Sequence, residues 1–317
     1  MHWSLIPDLA DALDRPLPPP PVPILDLHMH SGAPGPTAAY VRAAQAYGVV
    51  GACNMEFAGC PGTMAEAFPD FAFHPCGWPR PEKGEDWGAF RETWVEGMPD
   101  LVARGMRALK LKSEPRGGVQ PDVWLDDERL DPLYDAAARH GVLLQAHLGQ
   151  PSAWWPEKYD PAVAGPKRLY LEQMDRVLTR HPDLVYLGVH MGGEPEDLDA
   201  LERRMDAFPN YHVDTSATKW VIRELSAKPE AARAFFLRRA DRICFGSDLV
   251  VQAGVDDDYY TSRFHVQRRM WETDCRTRSL IDDPDAPPGG PFLNGLALPD
   301  EILRKLYHDN ATRLLRL

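Results

Sequence analysis

From residue 24 onward, short apolar or β-branched runs alternate with longer segments whose apolar residues recur at helical spacing. The runs Ile24–His28, Val49–Met55, Phe71–His74, Arg107–Lys112, Val142–His147, Leu184–Val189, Tyr211–Thr215 and Ile243–Phe245 predict eight strands. Glu128–His140, Lys167–His181, Pro195–Phe208 and Pro229–Ala240 predict helices between them. This rhythm predicts an α/β fold, a closed (β/α)8 TIM barrel rather than an open doubly wound sheet. The first strand is followed by no G-x-G-x-x-G, which argues against a dinucleotide fold. The pattern also marks two departures. Residues 1–23 hold a short amphipathic stretch and then R-P-L-P-P-P-P-V-P, a proline-rich arm in which Pro16 to Pro23 should be extended. Residues 252–299, with D-D-D-Y-Y, a helix candidate at Phe264–Trp271 and D-D-P-D-A-P-P-G-G-P, form an insertion expected to be a lid, an oligomer contact or a disordered loop. Ile302, Leu303, Leu306, Leu314 and Leu315 then make one stripe of a closing helix.

The 317 residues suit one domain of this kind. A composition of 44% hydrophobic and 26% charged residues is ordinary for a globular chain. The net charge of −12, without a concentrated basic stripe, argues against a nucleic-acid partner. No apolar run approaches the roughly 18 residues of a membrane helix. The acidic N-terminus lacks a basic, apolar leader, so a cytoplasmic location is expected. Five cysteines without a C-x-x-C predict reduced thiols, and Cys53, Cys60 and Cys76 fit no zinc spacing.

The polar residues at the strand ends change the picture. D-L-H-M-H ends the first strand, and side chains at i and i+2 share a face, so His28 and His30 can converge on one divalent ion. Alone, this pair reads equally well as two loop histidines. But His147 ends strand five, His190 follows strand six, and Asp248 ends strand eight in I-C-F-G-S-D. All lie at the end of a barrel where sites are built, and unpartnered they would be costly to bury. A metal answers that cost. Other histidines serve differently: His140 and His181 end helices, where a cation suits the helix dipole, and His2, His265 and His308 are expected in solvent. His74 and His212 lie in or beside strands, where a histidine is more often structural.

This ordered set, H-x-H, His, His and F-G-S-D, resembles the amidohydrolase superfamily. Within it, the chain is most similar to the amidohydrolase-related branch that includes aminocarboxymuconate-semialdehyde decarboxylase, as R-L-D-P-L-Y-D-A-A-A-R-H-G-V-L-L-Q-A-H and N-A-T-R-L-L also suggest. The resemblance implies that His28, His30, His147 and Asp248 hold one divalent metal, zinc in most relatives and manganese in some. It also implies that His190 is a base, either catalytic or standing behind the metal's ligands, and Asp248 is expected to take a proton from water.

Alternation in R-A-L-K-L-K-S turns Leu109 and Leu111 to the helices and Lys110 and Lys112 to the interior. Lys112 is a candidate for substrate binding. Lys110 is expected to be structural or electrostatic, with a carboxylated lysine bridging two metals as the alternative. Arg80, Arg116, Trp154, Trp155, Lys219, Trp220 and Arg223 follow strand ends, and Arg80, Trp154 and Trp220 are candidates for binding a planar, anionic small molecule. The expected function is metal-dependent hydrolysis of a small carboxylate. Non-oxidative decarboxylation uses the same ligands and is the alternative, and a catalytically silent metal-binding protein is the third reading. No membrane partner is expected, and a homodimer stays open.

Overall fold

The computed structural model describes residues 4–6, 12–13, 17–55 and 61–317, of which 61–63 are described in backbone alone. His2, Cys60 and residues 1–3, 7–11 and 14–16 of the N-terminal arm lie outside the described residues.

Eight segments predicted as strands are strands. They are β1 (Ile24–His30), β2 (Val49–Met55), β3 (Ala72–Gly77), β4 (Ala108–Ser113), β5 (Leu143–Leu148), β6 (Tyr186–Gly188), β7 (Tyr211–Asp214) and a last one split into β8 (Ile243–Cys244) and β9 (Leu249–Val250). All pair in parallel in the order β8-β7-β6-β5-β4-β3-β2-β1-β9. Because β8 and β9 are one stretch of chain, the sheet closes on itself. The seam is carried by bonds from Leu27 N to Phe245 O (2.9 Å), Asp248 N to His28 O (2.7 Å) and Val251 N to His30 O (2.8 Å).

Helices between the strands start and stop where the chemistry directs. The helix Asp131–His140 has a proline in its first turn and ends on Gly141 at φ +66, a left-handed cap that glycine adopts without strain. The helix Arg168–Arg180 buries Leu171, Met174, Val177 and Leu178 at helical spacing.

Pairing slips within β1, where the register shifts between Asp26 and Met29. The side chains slip with it. Leu25 and Leu27 join an interior apolar cluster with Cys53, Cys76, Ala108, Leu143, Leu187 and Cys244. Met29 joins the outer core under the helices. His28 and His30 are thereby left at the mouth, the usual service of a bulge beside a site. Ala311, Leu314 and Leu315 of the closing helix pack into the interior cluster below them.

The segment after β9 is more ordered than its composition suggests. Asp256 caps a helix over Asp257–Glu272, longer than the Phe264–Trp271 expected. It buries Tyr260 and Phe264 against Tyr40, with ring centroids 6.1 and 5.8 Å away. His265, expected in solvent, is buried here with its Nδ1 3.2 Å from the Tyr47 hydroxyl. The helical periodicity continues past the aromatic patch and carries His265 inward. A two-stranded antiparallel ribbon follows, β10 (Arg276–Arg278) with β11 (Phe292–Asn294). Among the described residues no helix is long and apolar enough to cross a membrane.

The insertion helix carries a buried ion pair whose two members also bond to residues outside the helix. Arg268, with a side chain 1% exposed, donates to Glu272 at 2.7 Å, and the Tyr307 hydroxyl donates to the same carboxylate at 2.8 Å. Arg268 also reaches the Pro18 carbonyl at 2.5 Å. Removing one partner of a buried pair strands the other charge. Glu272→Ala should therefore lower stability by about 3 to 5 kcal/mol, read as a lower urea midpoint with an unchanged slope.

Candidate metal centre

The backbone is bent to aim the site's side chains. His190, Met191 and Asp248 sit at φ of 57, 53 and 56°, in the left-handed region that few non-glycine residues adopt. The His190 amide is held there by Asp214 Oδ1 at 2.7 Å, and the Asp248 amide by the His28 carbonyl at 2.7 Å. Gly246 makes room for this closure: a Cβ there would stand 3.2 Å from both the Asp214 carboxylate and His28 Cβ.

Three donor atoms converge at the mouth. His28 Nε2 and His30 Nε2 are 3.3 Å apart, and Asp248 Oδ1 is 3.2 Å from each. Donors about 2.0–2.1 Å from a tetrahedral zinc ion are separated by about 3.3 Å, so this triangle matches one face of that coordination. Nitrogen and carboxylate oxygen are also the donor types such an ion takes. The group fits a divalent metal, and His28, His30 and Asp248 form a metal-binding site.

His147 and His190 stand beside the triangle. The His147 ring presents Nε2 to Glu114 Oε2 at 2.9 Å and Nδ1 to His190 Nε2 at 3.1 Å. Glu114 thus accepts a hydrogen bond from His147 Nε2. Ser216 Oγ donates to Asp214 Oδ1 and lies 2.7 Å from His190 Nδ1, so it accepts the proton on that nitrogen. With both rings neutral, two imidazole lone pairs would then face each other, and a proton or a cation must stand near them.

Carboxylates behind the rings fix their orientation. Asp214 Oδ2 accepts from His28 Nδ1 at 3.0 Å, which leaves Nε2 free for a ligand bond. Asp26 accepts from the His28 and Ser247 amides at 3.1 and 2.9 Å and from the Tyr40 hydroxyl at 2.8 Å.

Burial and charge set the protonation states. Burial opposes ionisation of Asp214, but His28 beside it holds its pKa down at about 2. Asp26 lacks such a cation, and burial pushes it up to about 6. Burial lowers His30 to about 4 and His190 well below the ordinary histidine value, so both rings are neutral near pH 7. For His28, burial and Lys110 work against the charged form, and Asp248 and Asp214 outweigh them to raise its pKa.

His28, His30, His147, His190 and Asp248 line a cavity of about 570 Å³, within the range of small-molecule sites. Lys110 and Lys112 both line it, and Leu109 and Leu111 join the outer core, as alternation predicts. Lys110 is 2% exposed with Nζ 3.2 Å from His28 Nε2, and burial brings its pKa down to about 8. Lys112 pairs with Glu114 at 2.5 Å. Trp154 and Trp220 are in the wall, with Lys158 3.4 Å over the Trp154 ring. Arg80 is exposed and stacks 4.1 Å over Trp78, reaching the cavity only through that indole. Trp155 is turned away, its N–H bonded to the Gly165 carbonyl at 2.7 Å. From the insertion, Tyr259, Arg263, Asp283 and Asp285 line the rim.

A family model for amidohydrolases matches residues 3–317. The chain belongs to the amidohydrolase family. No curated protein matches this amidohydrolase. Similar solved structures include an uncharacterized TIM-barrel protein from Bordetella bronchiseptica, at 20% identity and TM-score 0.56, covering 93% of this chain and 99% of that one. A 2,6-dihydroxybenzoate decarboxylase from Rhizobium is similar at 15% identity and TM-score 0.55, covering 93% and 99%. A 4-oxalomesaconate hydratase from Rhodopseudomonas palustris is similar at 14% identity and TM-score 0.55, covering 92% and 95%. At these identities the likeness is one of fold.

Asp214 and Glu114 escaped the sequence reading. Asp214 ends β7 in Y-H-V-D-T-S, the same polar-after-apolar signal that marked Asp248. Glu114 follows β4 directly, where the alternation of the two lysines drew attention away. Because Asp214 orients His28, Asp214→Asn should weaken zinc affinity by about 10–100-fold, measured by competition with a chromogenic chelator.

Proposed function

We propose that this amidohydrolase is a metal-dependent hydrolase of a small, anionic carboxylate substrate with a planar body. The observation that carries this reading is the tetrahedral-edge triangle of His28, His30 and Asp248 on the floor of a cavity lined by lysines and tryptophans. Zinc is the ion proposed, with manganese as the alternative. His28, His30 and Asp248 would hold it, and His147, whose Nδ1 lone pair faces inward, would be the fourth protein donor.

A bound divalent ion polarises a carbonyl oxygen and makes a neighbouring water a stronger acid. The chain does the rest. Asp248 Oδ1 faces the two imidazoles, while Oδ2 lies 3.9 Å from His190 Nε2. Oδ2 accepts the proton of the attacking water. Asp248 Oδ2 passes that proton to the free Nε2 of neutral His190, whose own proton on Nδ1 is held by Ser216, and His190 delivers it from Nε2 to the leaving group. Lys112 attracts a substrate carboxylate, and Trp154 and Trp220 flank its planar part, with Arg80 stiffening Trp78 at the entrance. The whole chain works as one catalytic domain, and residues 252–299 serve as its cover, because their side chains form part of the cavity rim.

The test compares metal content with turnover. Chelation should abolish hydrolysis of a panel of small carboxylate esters, lactones and amides, and zinc should restore it. His28→Ala and Asp248→Ala should lose metal and activity together. His190→Ala should keep its metal, measured per chain by mass spectrometry, and lose about 10²-fold or more in turnover. Loss of metal from His190→Ala as complete as from His28→Ala would place His190 among the ligands instead. Release of carbon dioxide during turnover would replace hydrolysis by decarboxylation.

A further inference from the structure

A turn of the insertion is fastened to two different sides of the cavity mouth. Asp283, Pro284 and Asp285 all line the cavity. The turn closes on itself, with the Asp285 amide donating to Asp283 Oδ1 at 3.1 Å and the Ala286 amide to the Asp283 carbonyl at 3.1 Å. Pro284, between the two acids, fixes its own φ and stiffens the turn.

Each acid is tied to a different element. Asp283, 7% exposed, is held at Oδ2 by Arg223 at 2.6 Å, from the helix Thr218–Ala227 that follows β7. Asp285 accepts the indole N–H of Trp154 at 2.9 Å, from the helix Trp154–Lys158 that follows β5. Between β5 and β7 in the sheet lies β6, and His190 follows it directly. The turn thus braces the rim on both sides of the strand that delivers His190.

The helix carrying Trp154 cannot fix the ring by itself. It is five residues long and has no side-chain cap at its start. So short a helix takes its position from tertiary contacts. The ring is half-buried, and Lys158 stands 3.4 Å over it with its amine 3.9 Å from Asp285. An indole N–H bonded to a carboxylate is charge-assisted and stronger than a bond between neutral groups. Asp285 therefore gathers both the ring and the cation above it.

We infer that Asp285 is a specificity-determining residue: by holding Trp154 in the wall, it sets how large a molecule can reach the triangle of His28, His30 and Asp248. It acts through Trp154, as a positioning residue, and the Arg223–Asp283 pair anchors it. With Asp285 in place the indole is a fixed wall and the mouth admits compact acids. Without it the ring is free to change rotamer toward solvent, and the mouth widens. That role rests on the hydrolase reading, which it narrows to small acids without bulk on the side facing Trp154.

Chelators of two sizes, acting on the zinc-loaded full chain, read the mouth without turnover. A chelator that draws the ion out by direct attack must touch it, so its bulk reports on access. Pyridine-2,6-dicarboxylate is compact, and bathophenanthroline disulfonate is broad. Asp285→Ala should speed zinc removal by the broad chelator about tenfold and by the compact one less than about twofold, at unchanged zinc content. Asp285→Asn keeps an acceptor for the indole and should recover part of the selection by size. Trp154→Ala removes the wall itself and should give the same selective gain. Combining it with Asp285→Ala should add nothing, because the carboxylate acts through the ring. A general loosening of the fold would instead speed both chelators alike. Equal rates for the two chelators in the unaltered protein, equal acceleration of both or of neither in the variants, or an added gain in the double variant overturns the inference. These outcomes do not depend on turnover, so failure of the hydrolase reading leaves them standing.

Discussion

The hydrogen bond from the Asp248 amide to the His28 carbonyl joins the last strand to the first, and the site hangs on that seam. It closes the sheet, and the same step carries the Asp248 carboxylate onto His28 and His30. Ionised and ionisable groups then crowd into a space with little water. In such a space an unpaired polar group is expensive, so each member must be answered by another. Asp214 answers His28, Ser216 answers His190, and Glu114 answers His147. What these partners leave uncancelled is the set of lone pairs pointing at the centre, and a cation is the species that cancels them. The metal preference of the site is thus a by-product of barrel closure and of the network behind it.

Much of this was legible before any coordinates, because a barrel interior imposes period-two patterning on strands and places polar residues at one end. The rule located His28, His30, His147, His190 and Asp248, and it turned Lys110 and Lys112 inward. It was less informative about what stands behind the rings. Asp214 carries the same signal as Asp248, but a supporting carboxylate and a coordinating one look alike in a sequence; only the 3.0 Å contact with His28 Nδ1 tells them apart. The slip in β1 was equally invisible, since D-L-H-M-H reads as plain alternation and the register shift appears only against the neighbouring strand. His147 shows a further limit: its place at a strand end was clear, but its ring is aimed by Glu114, a residue beyond the strand. The insertion was legible in outline, with a helix candidate at Phe264–Trp271 inside a lid, contact or loop, but its aromatic residues dock the longer helix Asp257–Glu272 on Tyr40 and carry His265, expected in solvent, inside.

The cavity wall shows how a fold can recruit recognition from parts that also serve its architecture. Trp154 is fastened to Asp285 of the insertion, and Arg223 to Asp283. Arg223 balances the Asp283 charge at the rim, and the lysines and arginines of the cavity lining outnumber its carboxylates, so the inner surface is more positive than the net charge of the chain implies. Charge at the site is decided by which groups line it more than by how many the whole chain carries.

The left-handed backbone at His190 and Asp248 has a consequence for how this protein can change. Side chains bearing a Cβ are held there at a cost of about 1–3 kcal/mol each, sustained by the surrounding bonds. Glycine at either position would relax the chain and remove a polar side chain from the cavity lining at the metal-binding site. Selection for stability alone would therefore drift toward glycine at these two positions, and only selection for activity holds histidine and aspartate in place. The enzyme's function and its thermodynamic comfort pull in opposite directions at the same two residues.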